Sequence, residues 1–258
     1  MFNLKKGGEV AIVKGGVRDK EIIYLDSNVN SDDVKRDKTK KYFNELNLDS
    51  KSIFEPYPNT SRERDALMIV GQSGSGKTHY LNQYISNYKK AYKKRKVYFI
   101  SSVESDKSVN EKNVQRISLN DSWINDPILL TDVADSLVCI DDFEAIRDAG
   151  IKKSLFIFIN EILTMGRHHN ISVALIVHYA NGKNYLRDML NECTSFTYFP
   201  RSSSRANNYL LENYLGVDPK EIKKIKKIKS RWASVFRNFP SAVLTERNLF
   251  MLADLQDD

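Results

Sequence analysis

Apolar and polar positions fall along this chain in blocks with two different periods. The runs ALMIV (66–70), KVYFIS (96–101), SLVCI (136–140), SVALIV (172–177) and SFTYF (195–199) are short and almost wholly apolar. That is the pattern of strands buried on both faces of a parallel sheet. Between them the period changes to that of a helix. After Gly76, the side chains of Leu81, Tyr84, Ile85 and Tyr88 share one face, and from Ile151 a stripe of Leu155, Phe158, Ile159, Ile162 and Leu163 must pack on a sheet. Such alternation implies right-handed crossovers and a mostly parallel central sheet with helices on both sides, a three-layer α/β/α sandwich.

The flanks read differently. EVAIVKGGVRDKEIIYL places two apolar runs around a Gly-Gly turn, which predicts an N-terminal β-hairpin, and the polar DSNVNSDDVKRDKTKK after it predicts a loop or a short exposed helix. Near the other end, GVDPKEIKKIKKIKSR marks a helix start: Asp218 can cap, Pro219 takes the first helical position, Glu221 completes a capping box and Val217 can staple onto Ile222. RWASVFRNFPSAVLTERNLFML then predicts two strands joined at residues 238 to 241. The expected organisation is an N-terminal hairpin and polar linker (1–60), an α/β core (61–216), and a C-terminal basic helix plus β-hairpin (217–258). No repeat of 20 to 50 residues is present.

Composition narrows the class. A chain of 258 residues with 41% hydrophobic positions suits one α/β domain with appendages better than two full domains. It has no run of eighteen apolar residues and no secretory h-region after MFNLKKGGEV, so the expectation is a soluble protein with no membrane partner. Cys139 and Cys193 lack metal-ligand spacing and read as free, buried thiols of a reducing compartment. The net charge of +7 favours a polyanionic partner, although Lys-rich surfaces also serve solubility alone.

The chemistry begins in MIVGQSGSGKTHY. Gly71, Gly76, Lys77 and Thr78 fit G-x-x-x-x-G-K-[ST] between a buried strand and an amphipathic helix. The segment Gly71, Gln72, Ser73, Gly74, Ser75, Gly76, Lys77, Thr78, His79 is therefore expected to hold ATP. Glycines let successive N–H groups and a helix N-terminus face the phosphates, Lys77 reaches the β- and γ-phosphates, and the Thr78 hydroxyl serves Mg²⁺. SLVCIDDFE ends a buried strand in two acids at the carboxyl edge, where open sheets bind ligands. Asp141 is the expected second Mg²⁺ anchor. Asp142, on the opposite side of an extended backbone, is the candidate base for water, with Glu144 as the alternative if Asp142 only caps the next turn. VALIVHY ends in His178, which reads either as a surface side chain or as a sensor of the γ-phosphate.

From here the sequence resembles a known family. LTMGRHHNISVALIVHY and TSFTYFPRSSSRANNYLLENYLG are similar to segments of the FtsK/HerA superfamily of DNA-pumping ATPases, which share the P-loop NTPase fold of RecA/ASCE type. The likeness is strongest to the poxvirus-type genome-packaging ATPases of large double-stranded DNA viruses and their virophage relatives, and covers roughly residues 64 to 216. The superfamily usually has Asp-Glu where this chain has Asp141-Asp142, and often Gln at His178. The resemblance implies a ring of five or six copies around double-stranded DNA, gripped without sequence preference, and a capsid or vertex protein as docking partner. It also implies action in the host-cell cytoplasm and in the virion. An arginine supplied by the neighbouring subunit is implied too: Arg167 by its place in the motif, then Arg201 or Arg205. A cellular FtsK/HerA-type DNA-transfer motor and a P-loop nucleotide kinase using Arg201 and Arg205 are the alternatives.

Two basic clusters could meet nucleic acid. KKAYKKRK (89–96) ends the helix after the phosphate loop, where cations complement the dipole. KEIKKIKKIKSR (220–231) sets Ile222, Ile225 and Ile228 on one stripe with lysines around it, either a solvated helix face or one turned toward a polyanion.

Overall fold

The computed structural model describes residues 1–28, 42–103, 109–178, 189–202, 205–213, 215–237 and 241–252. The polar stretch 29–41, most of the expected turn at 238–241, and the Arg205 side chain lie outside the described residues. The chain forms two compact units. One spans 63–193, and the other joins 1–62 to 194–258.

In chain order the elements begin with β1 (Phe2–Asn3), β2 (Gly8–Lys14), β3 (Ile22–Leu25), β4 (Glu45–Asn47) and β5 (Ile53–Pro56). The segment 63–193 contributes β6 (Ala66–Val70), α1 (Lys77–Ala91), β7 (Lys96–Ser101), β8 (Gln115–Ser118), α2 (Ser122–Asn125), β9 (Ser136–Asp141), α3 (Ala149–Met165) and β10 (Ser172–Val177). Then follow β11 (Ser195–Tyr198), α4 (Arg205–Asn213), α5 (Pro219–Lys227), β12 (Ala233–Phe236), β13 (Ala242–Thr245) and β14 (Asn248–Met251).

Within residues 63–193 the strands are all parallel, in the order β6-β10-β9-β7-β8. Every residue of β6, β9 and β10 is buried, which explains why these strands lack alternation: both faces are covered. α1 buries Tyr80, Leu81, Tyr84, Ile85 and Tyr88, and Tyr84 Oη donates to buried Asp65 at 2.8 Å. α3 starts where Asp148 accepts from Ile151 N at 2.8 Å, and buries the expected stripe from Ile151 to Leu163. Each such side chain contributes about 1.5–3 kcal/mol on leaving water. Order in the sheet, with β10 inserted between β6 and β9, puts the C-terminal ends of three consecutive buried strands side by side.

The unit of residues 1–62 and 194–258 is built from antiparallel sheets. β1-β3-β2-β5 forms one, and the expected β2–β3 hairpin turns through Gly15 and Gly16, both at positive φ. In the second, β11 pairs with β12, β12 with β13, β13 with β14, and β14 with β4. SFTYF forms a wholly buried strand, β11, as expected, and pairs antiparallel with β12. One expectation is corrected: the terminal hairpin carries a third strand, β14. The β14–β4 ladder ties residues 248–250 to 45–47, so the two ends of the chain share one unit. α5 has the expected cap and first residue, with Asp218 accepting from Lys220 N at 2.6 Å and Pro219 leading the helix, but Glu221 turns to Lys224 and does not complete the expected capping box. Glu221 is buried, its Oε1 2.8 Å from Lys224 Nζ.

Candidate nucleotide-binding site

The loop after β6 is held at both ends by backbone. Gly71 N donates to Val177 O on β10 at 3.1 Å, Ser75 N turns back to Gln72 O at 3.1 Å, and Tyr80 N closes the first turn of α1 on Gly76 O at 3.0 Å. Gly74 and Gly76 take φ of 76° and 107°, a left-handed conformation that other residues adopt at a cost. A Cβ at Gly74 would meet nothing within 4 Å, so its conformation, not crowding, is what selects glycine there. Gly76 caps α1 without a side-chain acceptor and the first turn carries no acid. The helix N-terminus therefore presents its N–H groups and positive dipole end to an anion. Gln72, Ser73 and His79 are exposed, while Thr78 is half-buried in the first turn of α1.

Lys77 is buried, and its ammonium is fully committed. Nζ donates to Gly71 O at 2.6 Å and to Gln72 O at 3.1 Å, and lies 3.4 Å from His178 Nδ1. Burial pulls this ammonium below its usual pKa range, against the opposing effect of Asp141, Asp142 and Glu144.

The acids come from the end of β9. Asp141 is buried, and burial, with Asp142 beside it, raises its pKa to about 6. Its Oδ1 accepts from Asp142 N at 2.8 Å. Asp142 does not continue the strand: it stands at φ 54°, a left-handed conformation that Asp tolerates better than most residues. That turn, and not strand alternation, separates the two carboxylates. Asp142 Oδ1 lies 3.0 Å from His178 Nε2, and its Oδ2 accepts from Ser101 Oγ at 3.4 Å. Ser102 Oγ donates to Asp142 O at 3.3 Å. Glu144 Oε2 accepts from the His178 backbone N at 3.1 Å. Lys77, Asp141, Asp142, Glu144 and His178 thus converge at the carboxyl edge of β6, β9 and β10.

Sequence reading missed Ser101 and Ser102. Both follow from the register of β7 on β9, which pairs Ser101 with Asp141, but that register is invisible without the sheet order. Arg167 stands apart from the cluster. Arg167 is exposed in the turn Gly166–His169 that precedes β10, at the opposite edge of the sheet, roughly 20 Å from His178 at about 3.3 Å per strand residue. Arg201 is exposed in the unit formed by 1–62 and 194–258, where Arg205 begins α4. A fourth arginine went unforeseen. Arg64 reaches the C-terminal carbonyls of α3, donating to Ile162 O and Leu163 O, and packs where a Cβ on Gly166 would come within 3.0 Å of Nη1.

The donor set fits the groups that the motif calls for. Glycines in left-handed conformation and an uncapped helix start suit polyphosphate, and Asp141 with the Thr78 hydroxyl offers the oxygen donors that Mg²⁺ prefers. Asp141, Asp142 and His178 place one donor atom each within 4.8 Å of one another, but an imidazole suits a transition metal better than Mg²⁺.

The fold and this loop define a protein of the P-loop NTPase fold. No protein-family model matches the chain. It is 35% identical over 195 residues to the uncharacterised protein V3 of Sputnik virophage, covering 75% of this chain and 79% of V3. The chain belongs to the family of that virophage protein. Among solved structures, the cytoplasmic domain of the type VII secretion ATPase EccC from Thermomonospora curvata shares the fold at TM-score 0.53 and 12% identity, over 87% of this chain and 31% of EccC. The DNA-packaging ATPase B204 of Sulfolobus turreted icosahedral virus aligns at TM-score 0.48 and 16% identity, over 71% of this chain and 98% of its own. Among the described residues no helix is long and apolar enough to cross a membrane.

Proposed function

We propose that the protein is an ATPase of the FtsK/HerA type that moves double-stranded DNA, packaging a viral genome into a preformed capsid. The observation that carries this reading is the convergence of Lys77, Asp141, Asp142 and His178 at the ends of β6, β9 and β10, with β10 inserted between the other two. The virophage kinship supports the viral setting.

In the proposed cycle the N–H groups of 71–78 and the start of α1 bind the triphosphate, and Lys77 exchanges the Gly71 and Gln72 carbonyls for phosphate oxygens. Mg²⁺ would be held by Thr78 and Asp141, where it would supply positive charge to offset that of the phosphates. Asp142 orients the attacking water and takes its proton, steadied by Ser101 and His178; Glu144 holds the His178 backbone. His178, between Lys77 and Asp142, reports the state of the γ-phosphate. Arg167, remote from its own subunit's site, is the guanidinium offered to a neighbour's γ-phosphate in a ring of five or six copies. The ring, a capsid or vertex protein as docking partner, and action in the host-cell cytoplasm and virion belong to the same proposal.

Third-strand displacement tests it: on a duplex carrying a triplex-forming strand, the protein should release that strand with ATP and Mg²⁺. Release must fail with Lys77→Ala. Hydrolysis without displacement, or phosphoryl transfer to a nucleoside monophosphate, would contradict the motor reading.

A further inference from the structure

α5 is the most one-sided helix among the described residues. At 100° per residue, Lys223, Lys226, Lys227, Lys220 and Lys224 occupy one continuous arc of about 160°, while Glu221, Ile222 and Ile225 occupy the arc opposite. The second arc is buried and the five lysines are exposed. Local structure does not account for this charge. Lys224 pairs with Glu221 at 2.8 Å; among the described residues Lys220, Lys223, Lys226 and Lys227 make no ion pair.

The lysines also oppose one another along the helix. Lys220 is three and four residues from Lys223 and Lys224, and Lys223 is three and four residues from Lys226 and Lys227, spacings at which like charges destabilise a helix. Lys220 and Lys223 sit toward the N-terminal half, where the macrodipole disfavours cations. The cluster at 89–96 is different. There Lys89 and Lys90 complement the last turn of α1, Lys90 donates to Asn87 Oδ1 at 3.0 Å, and Arg95 stacks on the Tyr92 ring at 4.1 Å.

We propose that the lysine face of α5 is a docking surface for the phosphate backbone of duplex DNA. This rests on the DNA-motor reading and assigns it a surface. From Lys220 to Lys227 the face runs roughly 10 Å at 1.5 Å per residue. A duplex carries one charge per about 1.7 Å of axis, so several phosphates lie within that reach. The exposed arc holds no aromatic side chain on which bases of a single strand could stack, and no apolar one to enter a lipid interface, because its isoleucines are spent in the core. What it offers is charge alone, which recognises a backbone and ignores sequence.

The test measures anisotropy of a labelled, mixed-sequence 30-base-pair duplex with the full chain, without nucleotide, from 50 to 300 mM KCl. One variant changes Lys220, Lys223, Lys226 and Lys227 to Gln, sparing Lys224 so that buried Glu221 keeps its partner. The control changes Lys89, Lys93, Lys94 and Lys96 to Gln, removing the same charge elsewhere. Circular dichroism and thermal denaturation confirm that both fold. The α5 variant should bind at least tenfold more weakly near 100 mM KCl, with a log–log salt slope shallower by about two to four, at about 0.9 for each phosphate that is no longer neutralised; the control should change far less. Wild-type binding that the α5 variant retains, or equal weakening in both variants, overturns the surface assignment and leaves the motor reading standing. No salt-dependent binding by the wild type overturns both. Binding to phosphatidylserine vesicles that needs these lysines, without duplex binding, overturns the DNA assignment in favour of a membrane.

Discussion

His178 Nε2 stands 3.0 Å from Asp142 Oδ1, and the other nitrogen of the same ring faces Lys77 Nζ at 3.4 Å. An ammonium can only donate, so the ring accepts from Lys77 at Nδ1 and donates to the carboxylate at Nε2. One side chain therefore links the phosphate-binding lysine to the candidate base. Gln can bridge in the same sense, with Oε1 toward Lys77 and its amide toward Asp142, whereas Leu cannot. His178→Gln should retain a substantial part of the hydrolysis rate and His178→Leu should lose roughly tenfold or more. Equal rates in both variants would remove the link from the mechanism.

Asp142→Asn keeps the turn and the shape but not the basicity. ATP affinity should hold within a few-fold, while turnover drops by on the order of 10² to 10⁴, the usual contribution of a positioned base. Equilibrium binding of a fluorescent ATP analogue together with steady-state rates checks this. Undiminished turnover would pass the role to Glu144.

Asp141 makes stability depend on pH in the direction opposite to a salt-bridged acid. Its folded pKa of about 6 lies above the ordinary 3.8, so the folded chain holds this proton where the unfolded chain has lost it. The stabilising effect is complete below about pH 4 and fades as pH rises through about 6. Without Mg²⁺, Asp141→Asn should raise the unfolding free energy at pH 8 by up to about 3 kcal/mol if the whole shift is relieved, with a higher melting temperature there, and leave both nearly unchanged at pH 4. Its cost should be a loss of Mg²⁺-dependent hydrolysis. A melting temperature unchanged at pH 8 would contradict the assigned burial effect.

Arg64→Ala removes a charged donor to Ile162 O, which also accepts from Gly166 N, and to Leu163 O at the end of α3. A loss of about 1–3 kcal/mol is expected in urea denaturation, the range for losing hydrogen bonds to a charged group.

Arg167 gives a prediction about pairs of subunits. Subunits with Arg167→Ala and subunits with Lys77→Ala should each be inactive alone, and mixing them should restore part of the activity, because a junction between the two can carry an intact loop on one side and an intact arginine on the other. No recovery in mixed assemblies would contradict action in trans.

The strands that position the site were legible because they are buried on both faces and so read as uninterrupted apolar runs, with β6, β7 and β10 matching at both boundaries. Lys77 and its loop were legible because a phosphate cradle imposes glycines at fixed spacing. What escaped depends on distant pairing or on one backbone angle. The β14–β4 ladder joins residues some 200 apart, and β8 (QRIS) is a polar edge strand with no apolar run to mark it. The left-handed turn at Asp142 changes which way a carboxylate points without altering any spacing, so strand alternation misjudged its cause. Arg64 looked like one charge among several in SRERD, and only the approach of α3 gives it a partner.

The most direct test is steady-state ATP hydrolysis with and without mixed-sequence duplex DNA, run beside a mass measurement of the assembly under the same conditions. Slow hydrolysis by the isolated chain and stimulation of tenfold or more by duplex DNA in assemblies of five or six copies are expected, all abolished by Lys77→Ala. Hydrolysis by a monomer at a rate indifferent to DNA would contradict the motor reading.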